Sequence, residues 1–124
     1  MRIAVVEDER PIREGLVHIL KKISPEYQVV GSAENGKEGL ILIEEEKPDL
    51  ILLDIQMPDM DGLQMLKEAR KKGILAKVVI LTAYSDFSYA KKAIALGIEN
   101  YLLKPVNLTE LRNTLTKIKE ELFV

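Results

Sequence analysis

Four nearly continuous aliphatic runs, residues 3–6, 50–53, 78–81 and 98–103, alternate along the chain with segments of helical period, and this alternation limits the fold most strongly. The last run is broken by Glu99 and Asn100. Short runs without polar alternation suit strands covered on both faces of a parallel sheet. A fifth candidate, residues 27–33, contains Gly31 and is more polar, as an edge strand would be.

Between the runs, Ile12, Leu16, Ile19, Leu20 and Ile23 fall on one helical face, and Leu108, Leu111, Leu115, Ile118 and Leu122 on another. Pro11 suits a first helical turn, and Asn107 with Glu110 predicts a reciprocal cap for the last helix. The remaining helices are predicted over residues 37–46, 63–72 and 86–96, with Gly73 and Gly97 as terminators and Asn35-Gly36 as a turn. Five strand-to-helix alternations predict an α/β fold, a doubly wound parallel sheet with helices on both faces. The lengths fit one domain, residues 1–124, without repeat or linker. Because the last residues lie in or just past an amphipathic helix, a complete small protein and the front domain of a longer one both fit.

Composition narrows the chemistry. The 124 residues include no cysteine, which excludes a thiol nucleophile and cysteine-ligated zinc or iron-sulfur sites. At this length, folding removes roughly two-thirds of the chain's surface from water, enough for a core without such staples. The balance of 18 basic and 20 acidic side chains, net charge −2, offers no basic stripe for nucleic acid. The apolar runs are too short to span a bilayer and the first residues lack a signal-peptide pattern, so a cytoplasmic protein is expected.

Polar residues interrupt the strands in one recurring place. The first run ends in Glu7, Asp8 and Glu9, the third in Asp54, the fourth in Thr82 and the fifth in Lys104. Carboxyl ends of strands line the ligand crevice of an open parallel sheet. Read alone, Glu7 to Glu9 are equally explained as the acidic first turn of a helix. Asp54 is harder to explain that way, because four aliphatics precede it and an enclosed carboxylate is costly unless paired or metal-bound.

Carboxylates converging at that rim repel one another unless a cation lies between them, and Mg2+ accepts such oxygen ligands. Asp8 and Asp54 can supply carboxylates and Gln56 a carbonyl, with Glu7 holding them or their waters. An ionised aspartate attacks phosphorus without a separate base, while Thr82 and Lys104 suit the oxygens of an anion seated on Asp54. The only histidine, His18, lies within the first helix and is read as a flank residue.

The ordered set of Glu7-Asp8, Asp54 in LLDIQMPDMDG, Thr82-Ala83, Tyr101 and Lys104-Pro105 resembles the bacterial response-regulator receiver (CheY-like) domains over essentially the whole chain. The resemblance implies a flavodoxin-like, three-layer (βα)5 fold with strand order 2-1-3-4-5. It implies Mg2+-dependent phosphoryl transfer from a histidine kinase or phosphotransfer protein onto Asp54, then slow self-catalysed hydrolysis. Asp8, Asp54 and the Gln56 carbonyl would bind the metal, with Glu7 assisting. Many relatives have Asp where Glu7 stands, and the longer stem is expected to move Glu7 from direct to water-mediated contact.

Thr82 and Lys104 would hold the phosphoryl oxygens, and Pro58, Asp61 and Gly62 would shape the following loop. Lys104-Pro105 is expected to be cis. Small Ala83 would leave the site open, while Gln56 and a bulky Tyr84 would tune access of water. As the switch, Thr82 would move toward the phosphoryl group and Tyr101 rotate inward, altering the face of the fourth helix, fifth strand and fifth helix. Homodimerisation through that face is expected.

The stretch YSDFSYAKKAIALGIENYLLKPV resembles receivers joined to AraC-type helix-turn-helix domains, so DNA would be reached only through an output domain absent from these residues. A free-standing relay is the alternative. A phosphohydrolase with an aspartyl-phosphate intermediate would want an acid two residues past the nucleophile, where Gln56 stands. A flavin carrier would want an anion-welcoming loop after the first strand, where the sequence is EDERP.

Overall fold

The computed structural model describes residues 1–83 and 87–123, and the side chains of Phe87 and Ala90 are left aside. Strands and helices alternate as β1 (Arg2–Val6), α1 (Arg10–Ile23), β2 (Gln28–Ala33), α2 (Gly36–Glu46), β3 (Leu50–Asp54), α3 (Gly62–Lys71), β4 (Lys77–Thr82), α4 (Phe87–Ala95), β5 (Asn100–Leu103) and α5 (Leu108–Leu122). The five strands form one sheet in the order β2-β1-β3-β4-β5, with every pairing parallel. The sequence expectation of a doubly wound sheet holds, and the polar candidate strand β2 does lie at an edge.

Side-chain alternation divides each inner strand between two cores. Ile3, Val5, Leu50, Leu52, Val79 and Leu81 pack with Leu16 and Leu20 of α1 and Leu111, Leu115 and Ile118 of α5. Ala4, Val6, Ile51, Leu53, Val78 and Ile80 pack on the other face with Ile43 of α2, Met65, Leu66 and Ala69 of α3, and Ala93 of α4. Burial on both sides explains why the strands lack polar alternation.

Several local expectations need correction. Ile19 and Leu108, read on the apolar helical faces, are 36% and 47% exposed. Ile98 and Glu99 precede β5 rather than belonging to it. There the chain leaves α4 through Gly97 at φ 79°, and the Glu99 carboxylate turns to Lys77 at 3.2 Å. Asn35 is the N-cap of α2, accepting from Glu38 N at 2.8 Å, and Gly36 is already helical. Asn107 accepts from Glu110 N at 3.0 Å, while the full reciprocal capping box stands on α3, between Asp61 and Gln64. Asp86, the expected start of the fourth helix, lies outside the described residues.

Candidate functional site

Each chemistry-bearing side chain is delivered by the end of a strand. β1 and β3 are neighbours in the sheet, paired from Ile3 with Leu50 to Val6 with Leu53, so Glu7 and Asp54 leave adjacent strands side by side. Glu7 N continues the ladder by donating to Ala33 O at 3.0 Å. Thr82 ends β4 paired with Leu103, and Lys104 N donates to Thr82 O at 2.7 Å, which fixes where the lysine leaves β5. The Lys104-Pro105 peptide is cis.

The acidic cluster is not the first turn of a helix. Helix α1 starts at Arg10 and has no acid in its first turn; Glu9 is its N-cap but makes no side-chain cap. Glu7 is fully buried, Asp54 is 4% exposed and Asp8 is half-buried. One carboxylate oxygen from each of Glu7, Asp8 and Asp54 lies within 4.8 Å of the others. Lys104 Nζ donates to Glu7 Oε1 at 2.5 Å and stands 3.4 Å from Asp54 Oδ2. Thr82, 1% exposed, completes the rim from β4.

One ammonium cannot neutralise three converging carboxylates, and the proton affinities show the excess. The Asp54 carboxyl is pushed up to about 7, first by burial and then by the neighbouring Glu7 carboxylate, with Lys104 opposing. Asp8 is also raised, by burial first and by Asp54 second. Burial works to lower the Lys104 ammonium, but the Glu7 hydrogen bond and the charges of Asp54 and Glu7 outweigh it and the net shift is upward.

Glu7 Oε2 is buried and meets no hydrogen-bond donor among the described residues. An orphaned carboxylate oxygen facing other acids is expensive unless a cation meets it. The donor set, all oxygen, suits a hard divalent ion such as Mg2+. Gln56 is exposed on the adjoining loop, and with Asp8, Ile55, Met57, Pro58, Asp61 and Tyr89 it lines a cavity of about 300 Å³ beside the cluster.

The loop that follows Asp54 is closed by a near contact. Gly62 N donates to Ile55 O at 2.8 Å, and a Cβ at residue 62 would lie 2.2 Å from Asp54 O, so only glycine fits there. Pro58 is exposed, and Asp61 works as the α3 cap. Ala83 is exposed at the end of β4, Tyr101 is half-buried against the α4-side core, and Tyr84 lies outside the described residues.

Sequence reasoning missed Arg13, whose guanidinium donates to Glu7 O at 2.9 Å and Asp8 O at 3.4 Å and so ties α1 to the acidic loop. It also missed Tyr89. Neither carries a sequence signal beyond its place on a helix that flanks the sheet's carboxyl edge.

A five-stranded parallel sheet with buried acids and a lysine at its carboxyl edge describes a doubly wound α/β domain with an acidic crevice, and comparison makes the family definite. The chain belongs to the response regulator receiver domain family, which it matches over residues 3–116. It is 33% identical over 121 residues to the uncharacterized transcriptional regulatory protein YesN of Bacillus subtilis, covering 98% of this chain and 33% of that protein. With the probable C4-dicarboxylate response regulator DctR of Halalkalibacterium halodurans it shares 34% identity over 120 residues, covering 97% of this chain and 52% of that one. The chain thus spans about a third to a half of the length of these curated relatives.

Among solved structures it resembles the REC domain of AraT, a response regulator from Geobacillus stearothermophilus, at TM-score 0.87 and 37% identity, covering 98% of this chain and 94% of that one. A LuxR-family DNA-binding response regulator from Staphylococcus aureus gives TM-score 0.87 at 33% identity, covering 94% and 97%. The flavodoxin-like arrangement implied by the sequence is the one observed. Among the described residues, no helix is long and apolar enough to cross a membrane.

Proposed function

We propose that this receiver domain, residues 1–124, accepts a phosphoryl group on Asp54 from a histidine kinase or phosphotransfer protein, and that the modified state alters the face of α4, β5 and α5. An Asp54 carboxylate oxygen forms the new P–O bond as the donor's P–N bond breaks, and the leaving imidazole keeps that electron pair. Lys104, 3.4 Å from Asp54 Oδ2, offsets the incoming charge, and Thr82 supplies a hydroxyl at the same rim. Asp8, Asp54, the Gln56 carbonyl and Glu7 would hold Mg2+, which when bound neutralises charge on the phosphoryl oxygens.

The observation that carries this reading is Glu7 Oε2, buried without a donor beside two further carboxylates. Self-catalysed hydrolysis then resets Asp54, so the protein acts as a switch rather than as a catalyst for others.

Tyr101, half-buried against the α4 side, and Thr82 are the switching pair of this reading. The output face carries exposed Ile94, Leu103 and Leu108, one from each of its three elements, which supports docking of a second copy there. The transcriptional relatives, longer than this chain, support a DNA-binding output domain acting under control of this one in the cytoplasm.

The test is incubation with acetyl phosphate and Mg2+ followed by intact mass, alongside Asp54→Asn. One phosphoryl group on the natural protein and none on the variant is expected. Equal labelling of both would overturn the choice of acceptor.

A further inference from the structure

The described side chains of helix α4 are little buried for an element on the output face. Among the described side chains of the helix only Ala93 is fully buried; Tyr89 is half-buried, and Ser88, Lys91, Lys92, Ile94 and Ala95 are exposed. Among its described side chains, apolar burial therefore holds it weakly. Its two ends differ. At the carboxyl end, Arg70 from the last turn of α3 donates from Nε to Leu96 O at 2.9 Å and from Nη2 to Gly97 O at 2.8 Å. The same guanidinium donates from Nη1 to Ile74 O at 2.8 Å and Ala76 O at 3.1 Å.

One planar cation thus satisfies four backbone carbonyls, two in the turn leaving α4 and two in the loop entering β4. A cation at a helix carboxyl end also meets the negative pole of its dipole. The turn itself is tightened by Leu96 N to Ala93 O and Gly97 N to Ile94 O, both at 3.0 Å. At the other end, Tyr89 borders the cavity that it shares with Asp8, Gln56 and Met57.

We propose that Arg70 is the fulcrum of α4: it pins the carboxyl end of the helix to α3 and the β4 entry, so that rearrangement of the output face is a rotation of α4 about residues 96–97. The regulatory part of this inference rests on the phosphoryl-acceptor reading, whereas the pinning does not. The geometry gives leverage. From Phe87 to Leu96 the helix rises about 13 Å, so a tilt of about 10° carries its amino end about 2 Å while the pinned turn hardly moves. A shift of that size beside Tyr89 would change the cavity next to Asp8, which links the acidic site to the helix mechanically. Arg70 is a positioning residue in this scheme and touches none of the reacting groups.

Hydrogen exchange on the natural protein, Arg70→Gln, Arg70→Lys and the neighbouring surface control Lys71→Gln tests it in two stages. Without phosphodonor, Arg70→Gln should speed exchange of amides 94–99 by about tenfold or more, the loss expected for charge-assisted bonds, while β1 and β3 amides stay within about twofold. Arg70→Lys should restore part of the protection and Lys71→Gln should change nothing. Unchanged protection of 94–99 in Arg70→Gln, or loss spread evenly over β1 and β3, would overturn the fulcrum.

With acetyl phosphate and Mg2+, intact mass reports labelling of Asp54 separately from exchange. In the labelled natural protein the exchange change should be largest at residues 88–91 and smallest at 94–97, and in labelled Arg70→Gln that gradient should vanish. A natural protein that labels fully yet responds equally at both ends of α4 would refute the pivot. A natural protein that takes no label would refute the acceptor reading instead, leaving the pinning to be judged by the first stage.

Discussion

Lys104 and Glu7, 97 positions apart in sequence, meet at 2.5 Å in a site where Glu7 has no exposure to solvent. The pair joins the last strand's exit to the first strand's exit across β3 and β4, and it is the closest cation–anion contact of the acidic cluster. Asp54 sits beside it, 3.4 Å from the same ammonium. The lysine therefore already serves the acids of the unmodified site.

Removing the ammonium should leave Glu7 buried and unpaired. Lys104→Ala is expected to lower unfolding stability by about 3 kcal/mol, the usual cost of stranding one member of a buried pair. Urea unfolding in the presence of a chelator measures it. Added Mg2+ should recover part of the loss, because the ion supplies positive charge to the same carboxylates.

The raised Asp54 carboxyl gives a pH dependence of definite sign. In the native protein it titrates at about 7, against 3.8 for an ordinary aspartate, so between these values the folded state holds a proton that the unfolded chain has released. Stability from this group is complete below about pH 4 and is lost as pH rises through about 7. Relative to Asp54→Asn, the metal-free natural protein should therefore weaken by about 2–4 kcal/mol between pH 4 and pH 8. Parallel urea titrations of the two proteins check this, and a difference that does not change with pH would contradict it.

Divalent ion should act as a stabiliser through the same acids. At about ten times its dissociation constant, Mg2+ should add about 1.4 kcal/mol to unfolding free energy, as expected of an ion that would bind the folded site alone. Asp8→Ala and Glu7→Gln should each shrink that gain. Thermal melts with and without Mg2+ give the comparison, and an equal gain in both variants would remove these residues from the ion's shell.

Gly62→Ala places a methyl group where Asp54 O stands 2.2 Å away, with Ile55 Cα at 2.9 Å. Both neighbours are backbone and cannot swing aside. The substitution should cost about 2–4 kcal/mol and shift the loop after Asp54, with slower labelling by acetyl phosphate. Gly15→Ala, inside α1 where a Cβ meets nothing within 4 Å, is the control and should raise stability by up to about 1 kcal/mol while leaving labelling near the natural value.

Much of this architecture was readable from residue order, because burial on both faces writes itself as unbroken aliphatic runs such as 50–53 and 78–81. The site was readable for the complementary reason: Asp54, Thr82 and Lys104 each interrupt such a run at its carboxyl end. What sequence could not supply was which acid of the pair is buried against the lysine. The resemblance implies Asp8 as the ligand with Glu7 at one remove; that Glu7 is the buried member and the lysine's partner comes from the fold alone. Contact between residues that far apart leaves no periodic trace.

Arg13 and Arg70 were equally silent, since both bind backbone carbonyls, and a carbonyl has no side-chain identity to read. The start of β5 was misplaced because Ile98 is apolar for packing beside the strand rather than within it.

The side chains of this pocket are lent by four separate pieces of the sheet, and no two consecutive elements suffice to assemble it. If the pocket takes up phosphoryl groups as proposed, a nascent, clipped or heat-damaged chain would be mute, incapable of taking up a message however much donor surrounds it. Signal output would then count intact molecules only, a form of proofreading that comes free with the topology.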